Sequence, residues 1–380
     1  GTHDLAAFDL DDAPLAVAAA GAVLSYVEYT QKQALPHLNA IRRERENDYL
    51  GLDAASRRNL EITETLQGEA APTLLSTLDA TCCSRGSRRL RHWLGHPLAD
   101  RTQAAQRHQA IRALLAAAPA DLQVIVDLLS ALVDVERIAT RIALLSARPR
   151  DLTGLAVTLA RLPVLIDTLR RCAATSPLLG ALGAAVQTDP ALLTRIATTL
   201  ADEPAASIKD GGVIRDGFDG ALDELRALKA NAGAFLVQLE SDERARTGIA
   251  NLRVEYNKVA GFFIEVTQSQ LDRVPPHYQR RQTLKNVERF ITPELKAFEE
   301  KALAAGERAL ALERELYAAL LEALRPYLAS LQAAASALAD LDALVSLARQ
   351  ARDLNLVEPQ FVPHDCIVID EGRHLVVEGQ

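Results

Sequence analysis

Residues 252–266 read LRVEYNKVAGFFIEV, and the fold turns on this stretch because the hydrophobic period changes there. Leu252, Val254 and Tyr256 alternate with polar residues, the period-two pattern of a half-buried strand. NKVAG supplies a turn and Phe262 to Val266 continues as a second strand, so a hairpin is expected. Past the Pro275-Pro276 loop, Gln282 to Ile291 again reads as extended chain turned at Lys285-Asn286, which predicts a small antiparallel sheet.

Helical patterns flank the sheet on both sides. A helix beginning near Phe218 places Leu222, Leu225, Ala232, Phe235 and Leu239 on one face before Gly248 ends it. After the sheet, Thr292-Pro293-Glu294 supplies an N-cap, a proline at the first helical position and an early acidic residue. From there Leu295, Phe298, Ala302, Leu312, Leu316 and Leu320 can face the outgoing helix. Two antiparallel helical arms with the sheet at their tip follow.

The remainder reads as helices. Ala13 to Leu35 has helical spacing, Pro36 a turn, and Arg42 to Arg45 a charged helical stretch. Between Leu60 and Leu162 amphipathic segments are punctuated by Pro72, Gly86, Pro97, Pro119 and Pro149, and Leu165 to Leu200 continues in kind. IKDGGVI at 208–214 reads as a turn or short extended piece. Phe361 to Val377 turns strand-like, with Ile367, Val368 and Ile369 in a row and Val376-Val377 near the end. The fold class is mainly α, a multi-helix bundle with long antiparallel arms carrying a small antiparallel β domain.

Composition agrees. At 380 residues, 49% hydrophobic and 24% charged, the chain can bury a sizeable core, and few aromatics among much Ala and Leu favours helices packed through small and aliphatic side chains. Cys82, Cys83, Cys172 and Cys366 have no metal-ligand spacing, so a reducing cytoplasm is expected. With no signal peptide and no uninterrupted run of 18 apolar residues, the expectation is a soluble protein with no membrane partner. The Gly-Thr-His opening without an initiator Met, and a last residue inside a strand-like run, suggest an excised fragment.

A net charge of −8 argues against a uniformly basic nucleic-acid binder but not against a local patch. Between Asn251 and Thr292, Arg253, Lys258, Arg273, Arg280, Arg281, Lys285 and Arg289 outnumber Glu255, Glu265, Asp272 and Glu288. Cations and Asn286 on a small sheet at the end of an arm suit phosphate contacts, which need reach and charge but no base-edge geometry. On composition alone, a solvated basic face is the commoner account. A second cluster, Arg57, Arg58, Arg85, Arg88, Arg89, Arg91 and His92, is read as structural, pairing with Asp53, Glu61 and Asp79 while Trp93 joins the core. His92, His96, His277 and His374 have no nucleophile or acid in a recognisable motif, and no GxxxxGK[ST] phosphate loop occurs. Glu299-Glu300 and Asp340/Asp342 are read as solvated helix faces rather than a metal site. Neither a cofactor nor catalysis is expected of this chain.

Six segments in order resemble the bacterial MutS family of DNA mismatch-repair proteins across essentially the whole chain. They are LDAASRRNLEIT (52–63), GSRRLRHWLGHPL (86–98), DVERIATRIALLSARPRDL (134–152), KDGGVI (209–214), YNKVAGFFIEV (256–266) and RRQTLKNVERFITPEL (280–295). The family's RDGGVI is kept here only as KDGGVI, and Leu375 in EGRHLVVE stands where the family has proline. The resemblance implies a connector end at 1–34, a split lever at 35–233 and 293–356, a clamp inserted at 234–292, and the first strands of an ATPase domain at 357–380. It implies that Lys258, Arg280, Arg281, Lys285, Asn286 and Arg289 meet the phosphate backbone of double-stranded DNA. It further implies a DNA-dependent ATPase using ATP and magnesium in the parent protein, a second MutS subunit, and room for a MutL-type partner. The alternative from another class is a coiled-coil scaffold that docks proteins without binding DNA.

Overall fold

The structure is a computed structural model that describes residues 13–31, 48–257, 261–362, 364 and 366–379. It separates into two compact units: Gly1–Ala147 with Asp151–Ala197 and Leu321–Gln380, and Arg148–Arg150 with Thr198–Leu320. The expected turn at Pro36 and the charged stretch at Arg42–Arg45 lie outside the described residues.

The first unit is helical. Its chain runs through α1 (Pro14–Gln31), α2 (Ala54–Asn59), α3 (Leu74–Leu78), α4 (Ser84–Gly95), α5 (Arg101–Ala116), α6 (Pro119–Ser130), α7 (Val135–Ala143), α8 (Pro149–Cys172), α9 (Pro177–Val186) and α10 (Pro190–Thr199). The second unit holds α11 (Gly220–Thr247), β1 (Arg253–Asn257), β2 (Gly261–Thr267), β3 (Gln279–Thr283), β4 (Val287–Ile291) and most of α12 (Pro293–Leu324). The chain then re-enters the first unit through α13 (Leu328–Asp353) and α14 (Leu375–Glu378).

Helix α13 is the centre of the first unit, packing against α4, α5, α7 and α9. It buries residues on every side, Leu331, Ala335, Leu338, Leu341 and Leu344 among them, as a helix must when neighbours surround it. Its alanines leave room for close helix approach. Two of its buried residues are polar: Asp342 and Ser346 are both fully enclosed. Asp342 accepts the N–H groups of Cys82 (2.8 Å) and Cys83 (3.0 Å) and the Cys83 thiol (3.0 Å). Ser346 accepts the Ala80 N–H and donates to the Leu78 carbonyl, both at 2.8 Å. The turn before α4 is thereby fastened to α13, and Gly86 is required because a Cβ there would lie 2.0 Å from Asp342 Oδ2.

The solvated-face expectation for Asp340 and Asp342 is therefore corrected. Asp342 sits four residues after buried Leu338, one helical turn along the same stripe, while Asp340 pairs with Arg89 at 2.9 Å. Within the second arginine cluster, Arg85, Arg88 and Arg89 meet acids other than those expected, while Arg57, Arg58 and Arg91 are exposed. Arg85 pairs with Glu136 and Arg88 approaches Asp134 at 3.9 Å. Asp53, Glu61 and Asp79 are instead occupied by local donors, the Ser56 N–H, the Leu66 N–H and the Ser87 hydroxyl. Trp93 is half-buried, with the Arg107 guanidinium 3.8 Å above its ring.

Two helical runs, Pro149–Thr175 and Pro293–Asp353, contain 18-residue windows apolar enough to cross a membrane by length and composition. The absence of an unbroken apolar string thus did not settle that question. In the protein, 44% and 67% of those windows are buried.

In the second unit the strand order is β1-β2-β4-β3, all antiparallel. Asp219 caps α11 by accepting the Leu222 N–H, and Gly248 closes it in the left-handed conformation (φ 68°). Thr292 Oγ1 accepts the Leu295 N–H at 3.2 Å and Pro293 opens α12, as the sequence predicts. The end of α11 and the start of α12 pack on one face of the sheet through Leu239, Ile249, Val254, Phe262, Ile264, Val266, Phe290 and Leu295. Phe235 of α11 stacks on Phe298 of α12 at 3.9 Å. Of the expected α11 stripe, Leu222 and Leu239 are buried and Leu225 and Phe235 half-buried; the Ala232 side chain lies outside the described ones. Strand β3 opens at Gln279, three residues before the expected start.

Ile367, Val368 and Ile369, expected in a strand, are 89%, 79% and 73% exposed and form none. A strand exists only as part of a ladder, and no partner strand stands beside them among the described residues. Val376 and Val377 fall in the single helical turn α14, capped by His374 Nδ1, which accepts the Val377 N–H at 3.3 Å.

Candidate nucleic-acid interface

The cations expected at the sheet fall into two kinds. Arg281 and Arg289 are held by partners within the protein. Arg289 Nε pairs with Glu265 at 3.1 Å, its Nη1 donates to Gln282, and its guanidinium lies 4.1 Å from the Phe263 ring centre. Arg281 Nη1 donates to Glu299 Oε2 at 3.0 Å and to the Phe262 carbonyl at 3.2 Å. Arg280 is 61% exposed, although its Nε meets the buried Glu288 carboxylate at 2.8 Å. Arg253 lies 3.8 Å from Glu255, and Arg273 donates weakly to the Gly248 carbonyl.

Lys285 and Asn286 differ from all of these. Both are exposed, and among the described residues neither side chain has a hydrogen bond or ion pair. The turn that carries them is held by its backbone: the Leu284 N–H donates to the Val287 carbonyl at 2.9 Å, and the Asn286 carbonyl accepts the Gln268 N–H at 3.2 Å. A fixed turn with a free ammonium and a free amide is the part of this sheet best placed to take a phosphate oxygen. Lys258 lies outside the described residues.

The strand register places these groups along the sheet. Thr267 pairs with Val287, so the Lys285-Asn286 turn borders the end of β2 opposite to the Asn257–Gly261 pair. Arg280 lies on β3, and Lys285 follows in the turn beyond its last residue, Thr283. All five β3 residues are exposed.

Sequence reading missed the carboxylates that set this geometry. Glu240 of α11 accepts the Val254 N–H at 2.8 Å, and Glu243 accepts the Tyr278 hydroxyl at 2.6 Å while pairing with Arg246. Burial and the Glu243 charge push the Tyr278 hydroxyl far above its ordinary range, so it remains a donor. Glu299 of α12 accepts the Phe262 N–H at 3.2 Å and is buried, which corrects its reading as a solvated face. A signal did exist: Glu243 and Glu299 each lie four residues after a buried leucine, Leu239 and Leu295.

At the other end of the arms, Glu313 of α12 accepts the N–H groups of Gly212 (3.1 Å), Val213 (2.6 Å) and Ile214 (3.0 Å) and pairs with Arg226 at 2.7 Å. The KDGGVI segment is thus a nest of backbone donors, possible because Gly211 and Gly212 have φ of 73° and 74°.

Elsewhere the chemistry is quiet. The Cys83 thiol is pushed up to about 11 by burial and its bond to Asp342, so it is protonated and un-nucleophilic near neutrality. His92 stacks on His96 at 4.6 Å with Tyr49 edge-on to both. Among the described residues no group of three or more His, Cys, Asp or Glu could hold a metal ion.

The fold and this site define a class: a helical-bundle protein with an arm-borne antiparallel sheet that presents a cationic edge. The family profile for MutS domain III matches residues 55–348, and the chain belongs to the MutS family. That match spans the helices from α2 into α13, with both arms and the sheet between them. Membership gives the chain a role in DNA mismatch repair, in a family that binds DNA and dimerises.

Proposed function

We propose that this chain is the DNA-gripping and motion-transmitting part of a mismatch-repair protein. The sheet contacts the phosphate backbone of duplex DNA without reading sequence, through Lys285 and Asn286 at the turn, Arg280 on the edge strand and Lys258 near the other hairpin. The observation that carries this reading is the exposed Lys285-Asn286 turn, whose side chains have no hydrogen-bond or ion-pair partner among the described residues. The arms give reach: α11 and α12, 28 and 32 residues long, extend for roughly 40 and 50 Å.

In this reading the arms and bundle transmit the nucleotide state of an ATPase domain to the sheet during mismatch recognition and clamp formation. ATP and magnesium act in the parent protein, a second MutS subunit and a MutL-type protein are its partners, and the cytoplasm is its compartment. The test is fluorescence anisotropy of the chain with homoduplex and mismatched DNA across a salt series. Support is weak, salt-sensitive binding that ignores the mismatch and falls in Lys285→Glu. Binding that is indifferent to salt and to that substitution rejects it.

A second reading, a scaffold that docks proteins along the arms, is favoured by one observation: Val237 and Leu228 of α11 are 72% and 58% exposed. It predicts protein capture that survives Lys285→Glu and is lost in Val237→Asp.

A further inference from the structure

Arg281 is the residue that the strand pairing skips. Arg280 pairs with Phe290 and Gln282 with Arg289, so β3 spends two residues where β4 spends one, and Arg281 is the extra residue of a bulge. A bulge re-aims the side chain it carries. Here it sends the guanidinium to Glu299 on α12 and to the Phe262 carbonyl, instead of leaving it on the outer edge with Arg280.

Phe262 is where the sheet needs help. On one side it pairs with Tyr256 of β1, but on the other the β2–β4 ladder begins only at Ile264↔Phe290. The Phe262 N–H and carbonyl would be left without ladder partners there. Glu299 takes the N–H through Oε1 and Arg281 supplies a donor to the carbonyl, while Glu299 Oε2 and Arg281 Nη1 hold each other. The ion pair thus stands in for the missing strand residue.

The neighbouring backbone is built around the pair. Gly261 has φ 67°, and a Cβ on it would lie 1.9 Å from Glu299 Oε1 and 2.9 Å from Arg281 Nη2. A bulge, a positive-φ glycine and a buried helical carboxylate converge on one contact.

We propose that Arg281 is a positioning residue and not a phosphate ligand: through Glu299 it locks edge strand β3 to helix α12, so the cation-bearing edge and the return arm move as one piece. Its effect on DNA rests on the gripping function proposed for the sheet; the lock itself does not. Motion of α12 reaches Arg280 and the Lys285 turn through this pair, in addition to the apolar contacts of Leu295 and Phe298.

The test measures amide hydrogen exchange without DNA and anisotropy with DNA, in the full chain and in Arg281→Gln, Glu299→Gln, Lys285→Glu and the swap Arg281→Glu/Glu299→Arg. The lock predicts that either single neutralisation speeds exchange at Phe262 about tenfold or more and weakens DNA binding by a similar factor, with the slope of log affinity against log salt unchanged. The swap restores the ion pair and with it most of the DNA affinity, but it sets a donor against the Phe262 N–H and an acceptor against its carbonyl, so Phe262 exchange stays fast. Lys285→Glu leaves Phe262 exchange alone and lowers the slope by about one phosphate contact. If Arg281→Gln lowers the slope by that amount while Glu299→Gln leaves affinity untouched, Arg281 is a direct contact and the proposal fails. It also fails if Phe262 exchange is unmoved in both single variants. Absence of DNA binding by the unaltered chain rejects the gripping function, and the exchange result still decides the lock. Should Glu299→Gln unfold the chain, Arg281→Lys serves in its place, keeping the charge but losing the forked donor, with a smaller rise in Phe262 exchange expected and an unchanged rate overturning the lock.

Discussion

Asp342 in the bundle and Glu313 in the arms solve the same problem with different means. Each is a buried helical carboxylate that gathers the backbone N–H groups of a connecting turn. Asp342 holds its turn with two N–H donors and a thiol, and among the described residues no cation pairs with it. Glu313 has three N–H donors and the Arg226 guanidinium, which also donates to the Ile214 carbonyl. Two peptide N–H groups and a thiol can therefore hold one buried carboxylate, whereas the KDGGVI nest also ties its carboxylate to α11 through Arg226. The first staples one turn to one helix, α13; the second links three segments.

That difference is open to breakage. Asp342→Ala should have the largest effect, since it strips Cys82 and Cys83 N–H groups of their acceptor and leaves a void against Gly86. A loss of about 3 kcal/mol is expected, read as a lower midpoint in urea unfolding. An effect under about 1 kcal/mol would show that the turn finds water instead. Glu313→Gln keeps the shape and one acceptor oxygen but takes from Arg226, only about a quarter exposed, the buried one of its two carboxylates, leaving it the exposed Asp216. A cost of about 2 kcal/mol is expected, and Arg226→Met in the same background should recover part of it if the weakened charge pairing is the cause.

Gly86→Ala sharpens the comparison from the opposite side, by pushing a methyl into Asp342 without removing any polar group. About 1–3 kcal/mol of destabilisation is expected by thermal unfolding, and much of it should vanish in Gly86→Ala/Asp342→Ser. The smallest effect concerns Asp79. Burial would raise its carboxyl, but hydrogen bonds from Ser87 and Thr81 outweigh that and hold it below the ordinary value. A depressed carboxylate contributes stability above its unfolded pKa of about 4 and loses it as pH falls through the folded value. Asp79→Asn should therefore lower stability by several tenths of a kcal/mol at pH 7 and flatten its decline below pH 4, measured as unfolding midpoint against pH.

Much of the fold could be read in advance because its signals are local. Asp219 and Gly248 mark the ends of α11, Thr292-Pro293 starts α12, and the alternation at Leu252–Tyr256 marks β1. Where pattern and partner diverge, reading failed. Ile367–Ile369 has strand chemistry and no ladder, and the carboxylates at 243, 299, 313 and 342 look like solvent-facing charge in a helix. Each nonetheless sits four residues after a buried residue, Leu239, Leu295, Ala309 and Leu338, so the stripe that predicts packing also runs through the acids. Treating charge as a veto on burial hid them.

The candidate site divided in the same way. The sequence places Arg280, Arg281, Lys285, Asn286 and Arg289 within ten residues of one sheet, and residue type suits every one of them to phosphate. Local chemistry was enough for the helices, the hairpins and the basic character of that segment, because caps, turns and periodicity act over a few residues. Only the folded protein separated the paired arginines from the unpaired turn, since Glu265 and Glu299 come from a neighbouring strand and helix. Whether a charge is spent or available depends on what lies across from it in space, and that is decided by packing.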